Sequence, residues 1–474
     1  MLFSSIEFIA FFLPLCLACY FFVGKRGGSV TSKYVLIAFS AVFYGWVSPK
    51  LAWVLAFSVA VNYGLCYDAR RRGRFSKSLL VLGIIFNAVL LGYFKYTNFF
   101  IDNLNALFEL HIPSVRFLVP LGISFWTFQQ IAYLVDNYRG QIANPSFTDY
   151  LLYILFFPKI FCGPITRYHD LIAQFDDKTA FDANYKTILT GIYLFTIGLA
   201  KKVILAAPFA AFAEHGYTHF DQLGMTETWV VLISFSLQIY FDFSGYTDMA
   251  LGVAKMFNIK LPDNFHLPYF AASVQDFWHR WHITLTSFLR DYLYFPLGGS
   301  RLSAPRTYFN ILVVFIVCGI WHGATWLFVL WGIIHGLGVC FNRWWKKTNI
   351  RLPRRLSMGL TFIYVTLAWV FFKSETLPQA WHLIKSSCNL LTLSFPKISH
   401  FDIYFGNGDY TYNGFILYVL LGIFMLFVGD KYKQYITNPN AAQRIKAVLF
   451  LLTLWYCAYQ TAAQPVAEFL YFRF

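Results

Sequence analysis

Apolar stretches long enough to cross a bilayer recur along nearly the whole chain, at roughly 7–24, 34–48, 51–67, 79–95, 115–135, 147–165, 186–207, 228–257, 307–325, 326–342, 357–373, 412–429 and 446–463. A hydrocarbon core offers backbone N–H and C=O groups no water. Each crossing segment must therefore satisfy its own hydrogen bonds, which leaves helices or a closed barrel. These runs have the length of spanning helices, not the ten-residue alternation of barrel strands. The expectation is an all-α polytopic membrane protein with a helical bundle of about 11–13 spans. Composition agrees: 58% of residues are hydrophobic, 21% aromatic and only 13% charged, far from an ordinary soluble domain. No repeat of fixed period or low-complexity tract divides the chain, so residues 1–474 read as one membrane domain.

A net charge of +15 could suggest a nucleic-acid partner, but the basic residues cluster at the ends of apolar spans, as the positive-inside bias predicts. The expected surroundings are lipid, with no nucleic acid. Lys25, Arg26 and Lys33 form one cluster; Arg70, Arg71, Arg72, Arg74 and Lys77 a second. Arg343, Lys346, Lys347, Arg351, Arg354 and Arg355 form a third, and Lys431, Lys433, Arg444 and Lys446 a fourth. Placing all four in the cytoplasm puts both termini outside, with 96–114 and 374–411 also outside. The span count is consistent only if one central segment is re-entrant. The start MLFSSIEFIA has no basic region of a cleavable signal and reads as a retained first span.

The cysteines lie mostly within apolar runs at no metal or disulfide spacing, and read as small core residues. Intramembrane polar residues concentrate at 116–170 and 234–345. VPLGISFWTFQQIAYLVDNYRG carries Gln129, Gln130 and Asp136; FFPKIFCGPITRY is broken by Pro158, Gly163 and Pro164; QIYFDFSGYTDMALG places Asp242 and Asp248 at depth. Helix breaks at depth are tolerated only where protein or water surrounds them. Function is sought in this central part, a core of about 116–345 followed by C-terminal spans over 357–474.

Read as one helix, residues 277–292 are amphipathic. Phe277, Trp278, Trp281, Leu285, Phe288, Leu289 and Tyr292 share one face, opposite Arg280, Thr284, Ser287 and Asp291. Such a helix lies against or partly within the membrane. His282 sits at the edge of its apolar arc, His279 further into the polar flank, and GDY at 408–410 reads as a turn.

His322, in GIWHGATW, ends a long apolar run, and His335 follows thirteen residues later in LWGIIHGLG. On one straight helix that separation is about 220° and about 20 Å, so only a break near Gly323 lets the two share a cavity. An ionisable residue within a span is a functional hypothesis by default. His322 could simply bond a backbone carbonyl of a neighbouring helix. Haem ligation has no other support, and a zinc site from His279, His282 and His322 lacks a fourth ligand. Acid–base chemistry fits best, since burial disfavours a charged imidazole and a neutral one takes a proton from a hydroxyl. The residues alone leave an enzyme and a proton-coupled transporter open.

The ordered set MLFSSIEFIAFFLPL, VPLGISFWTFQQIAYLVDNYRG, FFPKIFCGPITRY, FDFSGYTDMALG, NFHLPYFAASVQDFWHRWHITLTSFLRDYLYFPLGGSR, GIWHGATWLFVLWGIIHG and WVFFKSE resembles the membrane-bound O-acyltransferase family. The likeness is to its bacterial alginate O-acetylase branch, with peptidoglycan O-acetylase relatives, and is more distant to the D-alanine transfer protein of teichoic-acid modification. The resemblance implies a bundle with re-entrant or amphipathic central helices and a through-membrane tunnel. It implies that His322 is the catalytic residue and His282, after Trp281, its companion across the tunnel. Trp321, Gly323 and Trp326 are expected to shape the pocket, with Asp242 and Asp248 along it; His335 is either functional or structural.

On this resemblance the chain is a bacterial inner-membrane acetyltransferase with no bound cofactor and acetyl-CoA as donor. His322 is the general base on an acceptor hydroxyl, and His282 orients or polarises the thioester or the oxyanion. Transfer to a polysaccharide is either direct or through an extracytoplasmic acetyltransferase partner. A non-enzymatic acetyl or proton transporter is the alternative.

Overall fold

A computed structural model describes residues 1–71, 75–115, 118–142, 145–348 and 350–393, with 403–405, 408–410, 415–425 and single positions within 449–459 beyond them. Its helices are α1 Leu13–Val47, α2 Ala52–Arg71, α3 Lys77–Phe108, α4 Ile123–Tyr138, α5 Phe147–Leu155, α6 Tyr168–Ile172, α7 Tyr185–Ala200 and α8 Ala207–Thr218. They continue with α9 Met225–Met256, α10 Val274–Arg280, α11 Ile283–Leu289, α12 Ala304–His322, α13 Trp326–Trp345, α14 Arg354–Lys373 and α15 Leu377–Ser387. Among the described residues six helical stretches are long and apolar enough to cross a membrane: Glu7–Val47, Lys77–Phe108, Tyr185–Thr218, Ala304–His322, Trp326–Trp345 and Arg354–Lys373.

The first of the six is two helices, not one. At Gly28 the backbone turns to φ 73°, a conformation open to glycine without steric cost, and the chain doubles back. Phe12 then meets Phe39 at 5.5 Å and Phe43 at 5.6 Å between ring centroids. Lys25 and Arg26 are exposed beside the turn. The described basic clusters gather at one end of the bundle, the basic end. Lys33 reaches Asp149 at 2.7 Å, the ring of Phe75 lies 6.3 Å from that of Tyr138 beside Arg139, and Lys346 donates to Gln275 at 2.9 Å. Residues Arg72 and Arg74, the fourth basic cluster and most of the expected span 446–463 lie outside the described residues; of the expected span 412–429, helix Phe415–Met425 is described.

Two central segments enter from the basic end and return to it. The stretch 147–165, expected to span, does not: α5 starts at the Lys33 contact, ends at Leu155, and the chain turns through 156–166 back to Arg167. Pro158, Gly163 and Pro164 cannot continue a helix, and the turn is buried in protein rather than lipid. The segment 277–292 is likewise not one helix. From Gln275 at the basic end α10 descends to His282, and α11 climbs back to Asp291, where Arg139 donates to its carbonyl at 3.2 Å. The two re-entrant turns interlock, Ile165 N–H donating to Thr284 Oγ1 at 3.1 Å. Thr284, expected on a solvated face, is buried by that contact.

Polar residues at depth are largely spent on packing. Gln129 accepts from Lys159, and Gln130 bonds Tyr150. Asp136 accepts from Tyr292 Oη at 2.8 Å. On α9, Asp242 pairs with Lys202 and Asp248 with Lys201, each at 2.6 Å; both lysines come from a π-helical turn between α7 and α8. Beyond the bundle, α15 packs on the start of α9 through Trp229 Nε1, which donates to Ser387 O at 2.9 Å. Part of the expected outer loop 374–411 is thus a docked helix. Residues 408–410, read from sequence as a turn, form a strand paired antiparallel with Ile403–Phe405. Helix α3 runs on to Phe108, past its expected end near residue 95.

Candidate active site

The apex between α10 and α11 is built around His282. Its φ of 44° is left-handed, a state that costs a non-glycine residue about 1 kcal/mol or more and persists only where neighbours impose it. The neighbours are the extended residues 264–266. His266 N–H donates to Arg280 O at 2.9 Å and Ile283 N–H to Asn264 O at 3.0 Å, so backbone groups freed by the break find partners.

The Asn264 side chain then determines the state of the His282 ring. Its Oδ1 faces Thr284 N–H at 3.2 Å, Thr284 Oγ1 at 2.9 Å and His282 Nδ1 at 3.1 Å. A backbone N–H is only ever a donor, so the atom it meets is the amide oxygen. His282 Nδ1 must then carry a proton to bond the same oxygen. In the neutral ring that leaves Nε2 with its lone pair, a hydrogen-bond acceptor. His282 is fully buried among aromatic rings, with Phe243 at 4.8 Å and Trp321 at 6.1 Å. His279, three positions back on the polar flank, is exposed.

His322 ends α12, a 19-residue helix that rises about 27 Å from the basic end. A helix C-terminus leaves its last carbonyls without internal donors, and α3 supplies them. Lys95 Nζ donates to Trp321 O at 2.7 Å, to His322 O at 2.9 Å and to Ser124 Oγ at 3.3 Å. Tyr96 Oη donates to Ile320 O. Trp321 Nε1 donates to Ser124 O at 3.1 Å. After His322 the chain breaks at Gly323 and returns as α13, but the cavity that His322 lines does not reach His335. A Cβ at Gly323 would overlap the Phe328 ring, so only glycine admits this turn.

The break brings both histidines of the α12–α13 hairpin edge-on against Trp331. The His322 ring lies 5.0 Å from that of Trp331, which lies 4.8 Å from that of His335. His335 Nδ1 accepts from Trp278 Nε1 at 3.2 Å within an aromatic box. Trp331 thus separates His335 from His322, and the Trp278 bond gives His335 a structural partner. Trp281 is fully buried against Phe265 and Trp369. Trp326 is elsewhere: it is 62% exposed, its indole donates to Asn103 at 2.8 Å, and it does not line the pocket as expected. Among the described residues no group of three His, Cys, Asp or Glu side chains could hold a metal.

Three cavities surround this centre. One of about 70 Å³ is lined by Lys95, Ser124, Phe125, Cys162, Trp321 and His322, among others. A second, of about 50 Å³, reaches Asn264 behind His282 and includes Asp248 but not Asp242 in its wall. The third, of about 290 Å³, opens at the basic end between Asp136, Arg139, Gln141, Arg167, Asp291 and Tyr292. Arg139, Arg167 and Arg290 all bond Asp291, and that carboxylate raises the pKa of Arg290. Arg167 and Arg290 share the Asp291 carboxylate while Arg139 takes its backbone carbonyl, so three guanidinium groups stand against the carboxylates of Asp136 and Asp291 and leave the rim positive. Lys95, Asn264 and Trp331 were not singled out from sequence. Lys95 falls at the edge of an apolar run and reads there as a flanking charge, whereas an ammonium at that position within a longer helix is the signal.

The membrane-bound O-acyltransferase family model matches residues 114–377. The peptidoglycan O-acetyltransferase of Helicobacter pylori is 38% identical over 84% of this chain and 82% of its own length. The probable alginate O-acetylase AlgI of Pseudomonas aeruginosa is 34% identical over 85% of this chain and 78% of its own. A teichoic acid D-alanyltransferase of Bacillus subtilis is 29% identical over 56% of this chain and 71% of its own.

Proposed function

The chain belongs to the membrane-bound O-acyltransferase family and is an acyltransferase, and from that premise we propose that it moves acetyl from acetyl-CoA to a hydroxyl of an extracytoplasmic polysaccharide. The observation that carries this reading is His322, held at the end of a spanning helix on the wall of a small cavity. The basic end faces the cytoplasm, and the protein sits in the bacterial inner membrane with both termini outside. The donor's phosphates lie at the Arg139, Arg167 and Arg290 rim, where planar guanidinium forks match phosphate oxygens, and its thioester reaches inward toward the two histidines.

His322 takes the proton of the acceptor hydroxyl as its oxygen attacks the thioester carbonyl. The tetrahedral intermediate collapses, the carbon–sulfur bond breaks, and the proton on His322 passes to the departing thiolate. General-base help of this kind contributes about 10²- to 10⁴-fold. His282 orients the acceptor through a second donor: with Nδ1–H committed to Asn264, its neutral ring accepts at Nε2 a hydrogen bond from a hydroxyl other than the attacking one and has no second N–H for an oxyanion. This differs from the expectation that His282 orients or polarises the thioester or the oxyanion, since either would need an N–H at Nε2.

The acceptor polymer is of the peptidoglycan or alginate class that the relatives' names carry. The cavity at His322, about 70 Å³ and walled by Lys95, Phe125, Trp321 and other side chains, is small beside a polymer chain, which favours handing acetyl to an extracytoplasmic acetyltransferase partner over threading a polymer to the histidine. Two experiments test the reading. Purified protein should release thiol from acetyl-CoA only when His322 is intact; equal release by His322→Ala removes the assignment. Deletion of the gene should lower ester-linked acetate in one envelope polymer, and unchanged acetate in all of them would reject a glycan acceptor.

A further inference from the structure

We propose that Lys95 is a positioning residue for acyl transfer: its ammonium holds the carbonyls of Trp321 and His322 and so sets the direction of the His322 ring toward the cavity both residues line. The inference rests on His322 being the reacting base.

An ammonium within a membrane span is expensive and marks function by default. Here its three donors are matched to three oxygens, Trp321 O at 2.7 Å, His322 O at 2.9 Å and Ser124 Oγ at 3.3 Å. Its charge lies at the negative end of the α12 dipole, which offsets part of the burial cost. Capping alone does not require a lysine, since the preceding carbonyl, Ile320 O, is served by the neutral hydroxyl of Tyr96. The charged donor is reserved for the reacting residue's own carbonyl and its neighbour's.

Ser124 completes the clamp. Its hydroxyl accepts from Lys95, and its backbone carbonyl accepts the Trp321 indole N–H at 3.1 Å. Trp321 is therefore held at both backbone and side chain. Its ring packs edge-on to His322 at 4.8 Å, with Trp331 at 5.0 Å and Phe372 at 5.3 Å on the other sides. Once the backbone is fixed by Lys95, these rings leave His322 little rotational freedom. Without it, the last turn of α12 can fray, and displacement of a base by about 1 Å costs on the order of 10²-fold in rate.

The test measures kcat, KM for acetyl-CoA and thermal stability of the full-length protein in detergent for wild type, Lys95→Met, Tyr96→Phe, His322→Ala and the Lys95→Met/His322→Ala pair. Lys95→Met should lower kcat about 10²-fold while KM moves by less than about threefold. Added to His322→Ala, it should reduce the residual rate no further, because Lys95 acts through His322. Tyr96→Phe should lower stability without the same fall in kcat. A wild-type kcat in folded Lys95→Met overturns the proposal, as does an undiminished loss in the His322→Ala background. Should Lys95→Met fail to fold, Lys95→Gln, which is too short to reach both carbonyls, must still lose at least about tenfold in kcat; wild-type turnover would overturn the proposal equally. Full transfer by His322→Ala alone would instead remove the base assignment, whatever Lys95 does.

Discussion

Replacing Asn264 with alanine removes one oxygen that three buried donors share: His282 Nδ1–H at 3.1 Å, Thr284 N–H at 3.2 Å and Thr284 Oγ1–H at 2.9 Å. Each buried donor left without a partner costs about 1–3 kcal/mol, so the sum is about 3–9 kcal/mol if none is rescued. Water entering from the adjacent cavity of about 50 Å³ can serve some of them, and about 3 kcal/mol is the expected loss. The catalytic effect is separate. Without Oδ1 nothing selects the Nδ1–H tautomer, and His282 populates the form in which Nε2 donates. Loss of a group that fixes a histidine tautomer costs up to about 10⁴-fold in the serine proteases; for an orienting residue about 10²-fold is expected. Asn264→Asp offers the same donors an acceptor, so it should recover most of the stability. Its charge draws a proton onto Nε2, so the rate should recover far less. Thermal unfolding in detergent and acetyl transfer from acetyl-CoA read the two effects separately. Wild-type stability and rate in Asn264→Ala would refute the tautomer reasoning.

Gly323→Ala places a Cβ in the Phe328 ring, an overpacking of about 1–3 kcal/mol that displaces His322; kcat should fall with little change in KM for the donor, and an unchanged kcat would show that the turn tolerates a side chain. Lys202→Met removes the 2.6 Å bridge to buried Asp242 and should cost about 3 kcal/mol in thermal unfolding, most of it recovered in Lys202→Met/Asp242→Leu, because the penalty is an uncompensated buried charge. Failure of the double variant to recover would give Asp242 a role beyond the pair. Trp326→Ala alters an exposed side chain bonded to Asn103 and should leave transfer within about threefold of wild type; a large loss would return Trp326 to the pocket.

Periodicity and composition made the membrane bundle legible, because a hydrocarbon solvent permits few alternatives. The break at Gly323 was readable as a condition for His322 and His335 to share a cavity; the break is there, but Trp331 stands between the two rings. The re-entrant turns were legible only in part. Pro158, Gly163 and Pro164 announce the first, but nothing in WHRWHIT announces a left-handed His282, since that conformation is imposed by residues 264–266 from outside the segment. Trp326, expected in the pocket from the resemblance, is sent outward by the turn after His322. Lys95 and Asn264 lie far from the histidines in sequence, and only the packing of α3 on α12 and of 264–266 on the apex gives them partners.

In the proposed mechanism His322, as general base, lets acetyl pass from a thioester on the basic side to a hydroxyl on the far side. The most direct test uses proteoliposomes with the protein oriented and sealed, acetyl-CoA labelled in its acetyl group on the basic side, and acceptor glycan with its partner acetyltransferase on the other. Label should appear as ester on the far side with wild-type protein and fall to background with His322→Ala that is folded to the same extent. Far-side ester formed at an undiminished rate by His322→Ala would contradict the claim.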